Sequence, residues 1–396
     1  MTEPHETRVA ARDGGSHDIP FNVPYATGAE YEYIREAIAN AHVSGNGPFT
    51  RRCTERLERE LGSGRVLLTH SCTGALEMAV LLAEVGPGDE VVMPSFAFPS
   101  LPNAVALRGG VPVFVDIRAD TLNLDEALVA DAITDRTRVL APIDYAGVGA
   151  ELDTFVVLAR KHELVVIEDA AQGYGAFYGG APVGMKADVA CLSFHETKNV
   201  MCGEGGALLV NRPDWVERAE VIQEKGTNRR QFFRGQVDKY SWVDLGSSYL
   251  VSDIGAGFLW AQLEQAREIT AKRLELWHVY HEALEDLEDT GRLRRPVVPD
   301  NCSHNAHMYY VLLAADDDRD RFIEQLARAG VNAVSHYVPL HSSPAGLRYG
   351  RVQGSLDVTD DVSERLVRLP LWVGMSADDA GRVADVVRRA VDRLAA

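Results

Sequence analysis

Between Ile19 and about Asn211, short runs of apolar residues alternate with longer stretches whose apolar positions recur every three or four places. Arg65-Val-Leu-Leu-Thr69, Glu90-Val-Val-Met93, Val111-Pro-Val-Phe-Val115, Val139-Leu-Ala-Pro-Ile143 and Leu164-Val-Val-Ile167 are almost uniformly apolar and predict buried strands. Asp188 to Phe194 and Gly206 to Asn211 read the same way. Tyr31 to Ala41, Arg51 to Leu61, Ala75 to Val85 and Thr154 to His162 carry the helical period instead. Strand and helix in repetition predict an α/β fold, a mostly parallel central sheet covered by helices. Such sheets bind ligands beyond the carboxyl ends of their strands.

From Ala261 onward the pattern changes. Leu263 to Leu287 predicts one long linking helix rich in Glu, Lys and Arg. Beyond it, His307 to Leu313 and Val331 to Tyr337 predict strands, and Asp320 to Gly330 and Ala377 to Leu394 helices, a smaller α+β C-terminal domain. The expected organisation is a large domain over residues 19–262 and a small one over 263–396. Residues 1–18 are polar, with a Gly-Gly-Ser run and no apolar centre, and predict a disordered tail rather than a signal peptide.

Composition narrows the class. A chain of 396 residues, 46% hydrophobic and 25% charged, is an ordinary soluble composition, and a cytoplasmic location is expected. No apolar run approaches the length of a membrane span. The five cysteines, Cys53, Cys72, Cys191, Cys202 and Cys302, form no Cys-x-x-Cys pair, so reduced thiols are expected and neither disulfides nor a cysteine zinc site. A net charge of -18 argues against a nucleic-acid partner. Against that background Lys225 to Lys239 stands out, with five cations and one acid; it is either a solvated basic loop or a site for a small phosphorylated ligand. Asp316-Asp-Asp318 reads as a solvated turn. His304 with His307, and His336 with His341, lack a third ligand, so no metal site is expected. Gly86-Pro-Gly88 precedes a strand and opens no helix, which removes a dinucleotide fingerprint.

The chemistry gathers where strands end. Lys198 lies on a polar, glycine-bordered link, His195 to Gly205, between two buried strands. A desolvated lysine has a lowered pKa, and the neutral amine condenses with an aldehyde or ketone; the alternative is a loop lysine pointing to water. Asp169 follows Val165-Val-Ile167, where a carboxylate needs a cation: a protein Arg or Lys, or the protonated ring nitrogen of a pyridinium cofactor. Ser71 to Gly74 leads into a helix start, which either is capped by Ser71 or Thr73 or offers free N–H groups to a phosphate. Pro94-Ser-Phe-Ala-Phe98 places an aromatic after a neighbouring strand. An imine-forming lysine, an acid, a phosphate cup and an aromatic are together what pyridoxal 5′-phosphate requires.

Glu168-Asp-Ala-Ala-Gln172, Ser193-Phe-His-Glu-Thr-Lys198 and Gly203-Glu-Gly-Gly206 resemble the sugar-nucleotide aminotransferases of the DegT/DnrJ/EryC1/StrS type, which are fold-type I pyridoxal-phosphate enzymes. Phe49-Thr-Arg-Arg-Cys53, Glu224 to Arg229, Gln231 to Tyr240, Gly246 to Leu250, Asn305-Ala-His-Met308 and His336-Tyr-Val-Pro-Leu-His341 are similar to the dTDP-4-keto-6-deoxy-D-glucose 4-aminotransferases within that group. The resemblance runs from Ile19 to the C-terminus. It implies that Lys198 binds the cofactor aldehyde as an imine and later carries the proton, the cofactor passing between pyridoxal and pyridoxamine forms. It also implies that Asp169 holds the pyridinium nitrogen, Gln172 approaches the ring hydroxyl and Phe98 stacks on the ring. Thr73, Gly74 and Ser193 would bind the phosphate, and Asn228 would reach the cofactor phosphate of a neighbouring subunit in a homodimer. The implied reaction passes an amino group from L-glutamate to C4 of the dTDP-linked 4-keto sugar. A dehydratase of the same fold is the enzyme alternative, against which Lys198 speaks because related dehydratases typically carry histidine there. A catalytically silent sugar-nucleotide-binding protein is the other. Ser252-Asp-Ile-Gly-Ala-Gly257 and His341-Ser-Ser-Pro344 depart from the pattern and leave the configuration of the new amine open.

Overall fold

The computed structural model describes residues 18–314 and 318–394. The expected tail before Asp18, and Asp316 and Asp317 of the acidic turn, lie outside the described residues. Seven strands come in the order expected: β1 (Arg65–Thr69), β2 (Glu90–Pro94), β3 (Val111–Val115), β4 (Thr137–Leu140), β5 (Val165–Asp169), β6 (Val189–Ser193) and β7 (Gly206–Val210). Later come β8 (Leu293–Arg294), β9 (Tyr309–Leu313), β10 (Val334–Ser335), β11 (Arg351–Val352) and β12 (Leu366–Leu369).

The main sheet has the order β1-β7-β6-β5-β4-β2-β3-β11. β7 runs antiparallel to both neighbours and every other pairing is parallel. The carboxyl ends of β5 and β6 therefore lie side by side, with Asp169 opposite Cys191. Two apolar clusters cover the two faces: Val66, Leu68, Val166 and Leu192 point into one, Leu67, Val91, Ile167 and Leu208 into the other. That double burial is why these strands lack a polar face. A second sheet, β8-β9-β12-β10, is wholly antiparallel. Its core includes Tyr309, Val311, Val367 and Leu369, closed by Val383 and Val387 of the C-terminal helix Ala377–Leu394.

Three helices need comment. α1 (Pro48–Leu61) starts with proline at its first turn and ends on Gly62 at φ 75°. Its free N-terminal amides are answered by Asp253, which accepts from Phe49 N–H (3.2 Å), Thr50 N–H (2.8 Å) and the Thr50 hydroxyl (2.9 Å). α2 (Cys72–Leu82) is capped by Ser71, whose Oγ accepts from Gly74 N–H at 3.0 Å. The expected single helix from Leu263 to Leu287 is instead three: α3 (Asp253–Glu264), α4 (Ala266–Ala283) and a last turn Glu285–Asp289. The breaks at Gln265 and Leu284 let Leu263 stay in the large core while Leu276, Trp277 and Tyr280 reach the second one. The glycine at 257 also has a packing reason, since a Cβ there would sit 3.2 Å from the Tyr33 carbonyl oxygen. No helix among the described residues is long and apolar enough to cross a membrane.

Candidate active site

A cavity of about 340 Å³ lies at the carboxyl ends of β5 and β6, closed on its far side by the second sheet. Lys198, Asp169, Gln172, Ser193, Thr73 and Phe98 all line it. Six residues spread over more than a hundred positions thus meet at one place.

Lys198 is delivered by the link from Phe194 to Gly205, which is folded on itself. Phe194 N–H donates to Gly205 O (2.9 Å), Cys202 N–H to Phe194 O (2.8 Å), Glu196 N–H to Gly203 O (2.8 Å) and Lys198 N–H to His195 O (2.9 Å). Burial pushes the Lys198 amine down from its ordinary value, opposed by the Cys72 and Asp169 charges. Asp169 is buried, and that burial pushes its carboxyl up; one oxygen accepts from Ala171 N–H at 3.1 Å. Among the described residues no ion pair closes on this carboxylate, and the charge that acts on it against burial is that of Lys198.

The rest of the floor is fixed by hydrogen bonds. Gln172 Oε1 accepts from Ala146 N–H (2.7 Å), and its Nε2 donates to the Tyr337 hydroxyl (3.2 Å). Thr73 and Ser100 share a hydroxyl bond of 2.8 Å beside the start of α2. Gly206 belongs to the same end: a Cβ there would lie 2.5 Å from Cys72 N and 2.6 Å from the Ser71 carbonyl carbon, so a larger residue would push the helix start away. Phe98 is 61% exposed, a large ring left open at the cavity edge.

Two of the expected cofactor residues lie apart from this cavity within the chain. Gly74 does not line the cavity, and its N–H is engaged by Ser71 Oγ, because the helix begins at Cys72 and not near Ala75. The open amides at this helix start are those of Cys72 and Thr73. Asn228 is not brought to the cavity within the chain; its Oδ1 accepts from Ser241 N–H at 2.8 Å. Each histidine of the two pairs weighed as metal ligands has another neighbour: His304 packs on Trp277 at 4.4 Å, His307 meets Asn199, His336 the Tyr145 hydroxyl, and His341 Ser95.

Further residues complete the far wall, of which Arg368, Arg273 and Phe21 were missed in the sequence. Arg368 and Arg273 enter from β12 and α4, His336 and Tyr337 from the segment after β10, and Phe21 from near the start of the described chain. Arg273 donates to two main-chain carbonyls, Ala306 (3.0 Å) and His307 (2.6 Å). A charged residue inside the apolar run Leu366-Val-Arg-Leu369 was the available signal. Val331 to Tyr337 was expected as a full strand, but Val334 and Ser335 alone pair with β12, while Val331 makes an isolated parallel bridge with Ile19; the chain then turns away, carrying His336 and Tyr337 into the cavity.

The residues fit the expected pyridoxal phosphate: a desolvated amine, a buried acid without a protein cation, and open helix-start amides beside Thr73, Ser100 and Ser193. Comparison with known proteins agrees. A family model described as the DegT/DnrJ/EryC1/StrS aminotransferase family matches residues 24–388. The chain is 30% identical over 372 residues to a UDP-4-amino-4-deoxy-L-arabinose–oxoglutarate aminotransferase of Shewanella sediminis, covering 90% of this chain and 94% of that one. It superposes on the aminotransferase TlmJ of Streptoalloteichus hindustanus with a TM-score of 0.87 at 30% identity, covering 96% of this chain and all of the other. DesV of S. venezuelae, solved in complex with a ketimine intermediate, gives a TM-score of 0.87 at 28% identity over 95% of this chain and 99% of its own.

Proposed function

The chain belongs to the DegT/DnrJ/EryC1/StrS aminotransferase family and is a pyridoxal-phosphate-dependent sugar aminotransferase of fold type I, and from that premise we propose that its acceptor is dTDP-4-keto-6-deoxy-D-glucose. The amino donor is L-glutamate, and the products are a dTDP-4-amino-4,6-dideoxyhexose and 2-oxoglutarate. The observation that carries this reading is the meeting of Lys198 and Asp169 in one cavity at the sheet's carboxyl edge. The 4-amino sugar and oxoglutarate in the Shewanella relative's name support C4 and glutamate. The segments Glu224 to Arg229 and Gln231 to Tyr240 favour the dTDP-linked hexose.

When bound, the cofactor supplies an aldehyde that takes up the amino group and a protonated ring that draws electrons from the bond being broken. Lys198 contributes an amine whose pKa burial lowers, and it would take a proton from the donor's carbon and return it at the cofactor side. Asp169 keeps the ring nitrogen protonated because its own carboxylate is otherwise buried without a cation. The Cys72 and Thr73 amides, with Thr73 and Ser193, would hold the phosphate at a helix N-terminus, where the helix dipole favours an anion. Phe98 would lie against the ring, and Gln172, steadied by Ala146 and Tyr337, would meet its hydroxyl. Asn228 serves a second subunit, so the working unit is a homodimer.

The test is direct. Incubation with dTDP-4-keto-6-deoxyglucose, L-glutamate and pyridoxal phosphate yields a dTDP-amino sugar and an equal amount of 2-oxoglutarate. Turnover confined to a UDP-linked 4-keto sugar, or a deoxy product without 2-oxoglutarate, overturns the assignment. The proton spectrum of the product gives the amine's configuration.

A further inference from the structure

The link that follows β2 and the segment that follows β10 are joined at one histidine. Ser95, the first residue past β2, is wholly buried. Its carbonyl oxygen accepts from Leu340 N–H (3.0 Å) and its Oγ from His341 N–H (3.1 Å). The hydroxyl then has one proton to place, and His341 Nδ1 stands 2.8 Å away. A buried hydroxyl gives that proton to a partner, which assigns Nδ1 as the acceptor and puts the imidazole hydrogen on Nε2. Asp360 Oδ1 faces Nε2 at 3.4 Å. A serine, a histidine and an acid in series bring to mind a nucleophile and its base, but no substrate reaches a wholly buried Ser95. The series holds the chain in place instead.

What it holds reaches the cavity from both sides. Ser95 lies on the link that carries Phe98 to the cavity edge, and its neighbour Phe96 meets the Tyr337 ring edge-on, with centroids 5.4 Å apart. His341 closes the segment that brings His336 and Tyr337 to the opposite wall. Before that segment β10 is two residues long, and Val338 within it is 80% exposed, so the grip at its far end matters. Asp360 stands on the helix Asp357–Arg365, whose start is tied to the end of β3: Asp116 accepts from Val358 N–H (2.9 Å) and Thr359 N–H (2.8 Å). The Tyr337 hydroxyl in turn accepts from Gln172 Nε2 at 3.2 Å.

We propose that His341 is a positioning residue: bonded to Ser95 and facing Asp360, it seats residues 336–341 on the end of β2 and so keeps the Tyr337 hydroxyl on Gln172. The inference rests on the reading that Gln172 meets the ring hydroxyl of the cofactor. A hydrogen bond given to that oxygen favours its ionised form. Gln172 without its Tyr337 support is free to turn, and the bond weakens.

The test reads the colour of the bound cofactor, which a loss of stability alone does not move. Holoenzyme carrying Ser95→Ala, His341→Leu or Gln172→Ala is titrated with acid and base while the visible absorbance is followed. In Gln172→Ala the midpoint of the colour change rises by about one pH unit, the size of one hydrogen bond. Ser95→Ala and His341→Leu raise it too, by about half a unit or more. His341→Asn, whose amide oxygen stands in for Nδ1 as the acceptor from Ser95, lies nearer the wild type than His341→Leu does. Should His341→Leu fail to fold, Ser95→Ala, which removes a single oxygen, carries the test. A wild-type midpoint in Ser95→Ala or His341→Leu, with that of Gln172→Ala moved, overturns the inference alone. A wild-type midpoint in Gln172→Ala overturns the reading of Gln172 beneath it.

Discussion

Lys198 and Asp169 line one cavity from the ends of neighbouring strands, and among the described residues no ion pair joins them. Burial acts on both in the direction that favours neutrality, lowering the amine and raising the carboxyl. A protein evolved only for stability would pair them or replace them with apolar groups. Held apart, they leave room for a ligand that bonds to one and salt-bridges to the other.

For Lys198 the expected outcome is covalent. Borohydride treatment of protein loaded with pyridoxal phosphate fixes the cofactor on the peptide containing Lys198. Lys198→Ala takes up no cofactor mass, stays colourless, and loses about 100-fold or more of its turnover, the range of a removed general acid–base group. Mass spectrometry of the reduced digest, beside the absorbance spectrum, checks this.

Asp169→Asn removes the counter-charge and leaves the shape. Losing one partner of a buried pair costs about 3–5 kcal/mol, so kcat/KM falls by about two to four orders of magnitude while the cofactor still binds. Steady-state kinetics at saturating cofactor, with the cofactor dissociation constant alongside, separate lost chemistry from lost binding.

How much of this was legible depends on which contacts are local. Lys198, Asp169 and Thr73 sit at ends of strands whose apolar runs are unmistakable, so position along the chain placed them in the cavity. The helix start was placed too late because the cap at Ser71 begins the helix one turn earlier than its apolar period. Arg368 and Arg273 were out of reach because they arrive from the second sheet and α4, through packing that no local period records. The break at Gln265 was hidden for the same reason: it follows from serving two separate cores.

Glu168, next to Asp169, gives a pH prediction. Its Oε1 accepts from Gly184 N–H, but Oε2 and Asp144 Oδ2 are both buried without a donor, and the two carboxyls interact directly. Burial pushes Glu168 up to about 7 from the usual 4.5. The folded state therefore holds a proton that the unfolded state has released. The stabilisation is full below about pH 4.5 and lost as pH rises through about 7, a change of roughly 3 kcal/mol. Glu168→Gln supplies a permanent N–H donor to Asp144, so its unfolding midpoint is nearly level over that window where the wild-type midpoint drops. Thermal unfolding across pH 4.5 to 8 decides it; parallel curves would remove the shared proton from the account.

Gly206→Ala tests the phosphate end without touching a polar group. The new methyl meets the Ser71 and Cys72 main chain, and overpacking of this kind costs about 1–3 kcal/mol. Both the unfolding temperature and the affinity for pyridoxal phosphate fall, because the displaced helix start carries the phosphate-facing amides. Inorganic phosphate protects the wild type against heat more than it protects the variant.

The last prediction concerns the second subunit. Asn228 sits on a segment bearing Phe233 and Trp242, exposed by 69% and 76% in the isolated chain; apolar surface of that kind marks a face covered by a partner. If Asn228 serves its neighbour's cofactor, Asn228→Ala and Lys198→Ala fall together in one site of a mixed dimer, and the other site is intact. Each variant alone is nearly inactive. Unfolded, mixed in equal amounts and refolded together, they recover about a quarter of wild-type turnover, since about half the dimers are mixed and each has one good site. If both residues belonged to the same chain's site, both halves of every mixed dimer would be damaged and mixing would recover nothing. Turnover of the mixture against each parent is the measurement.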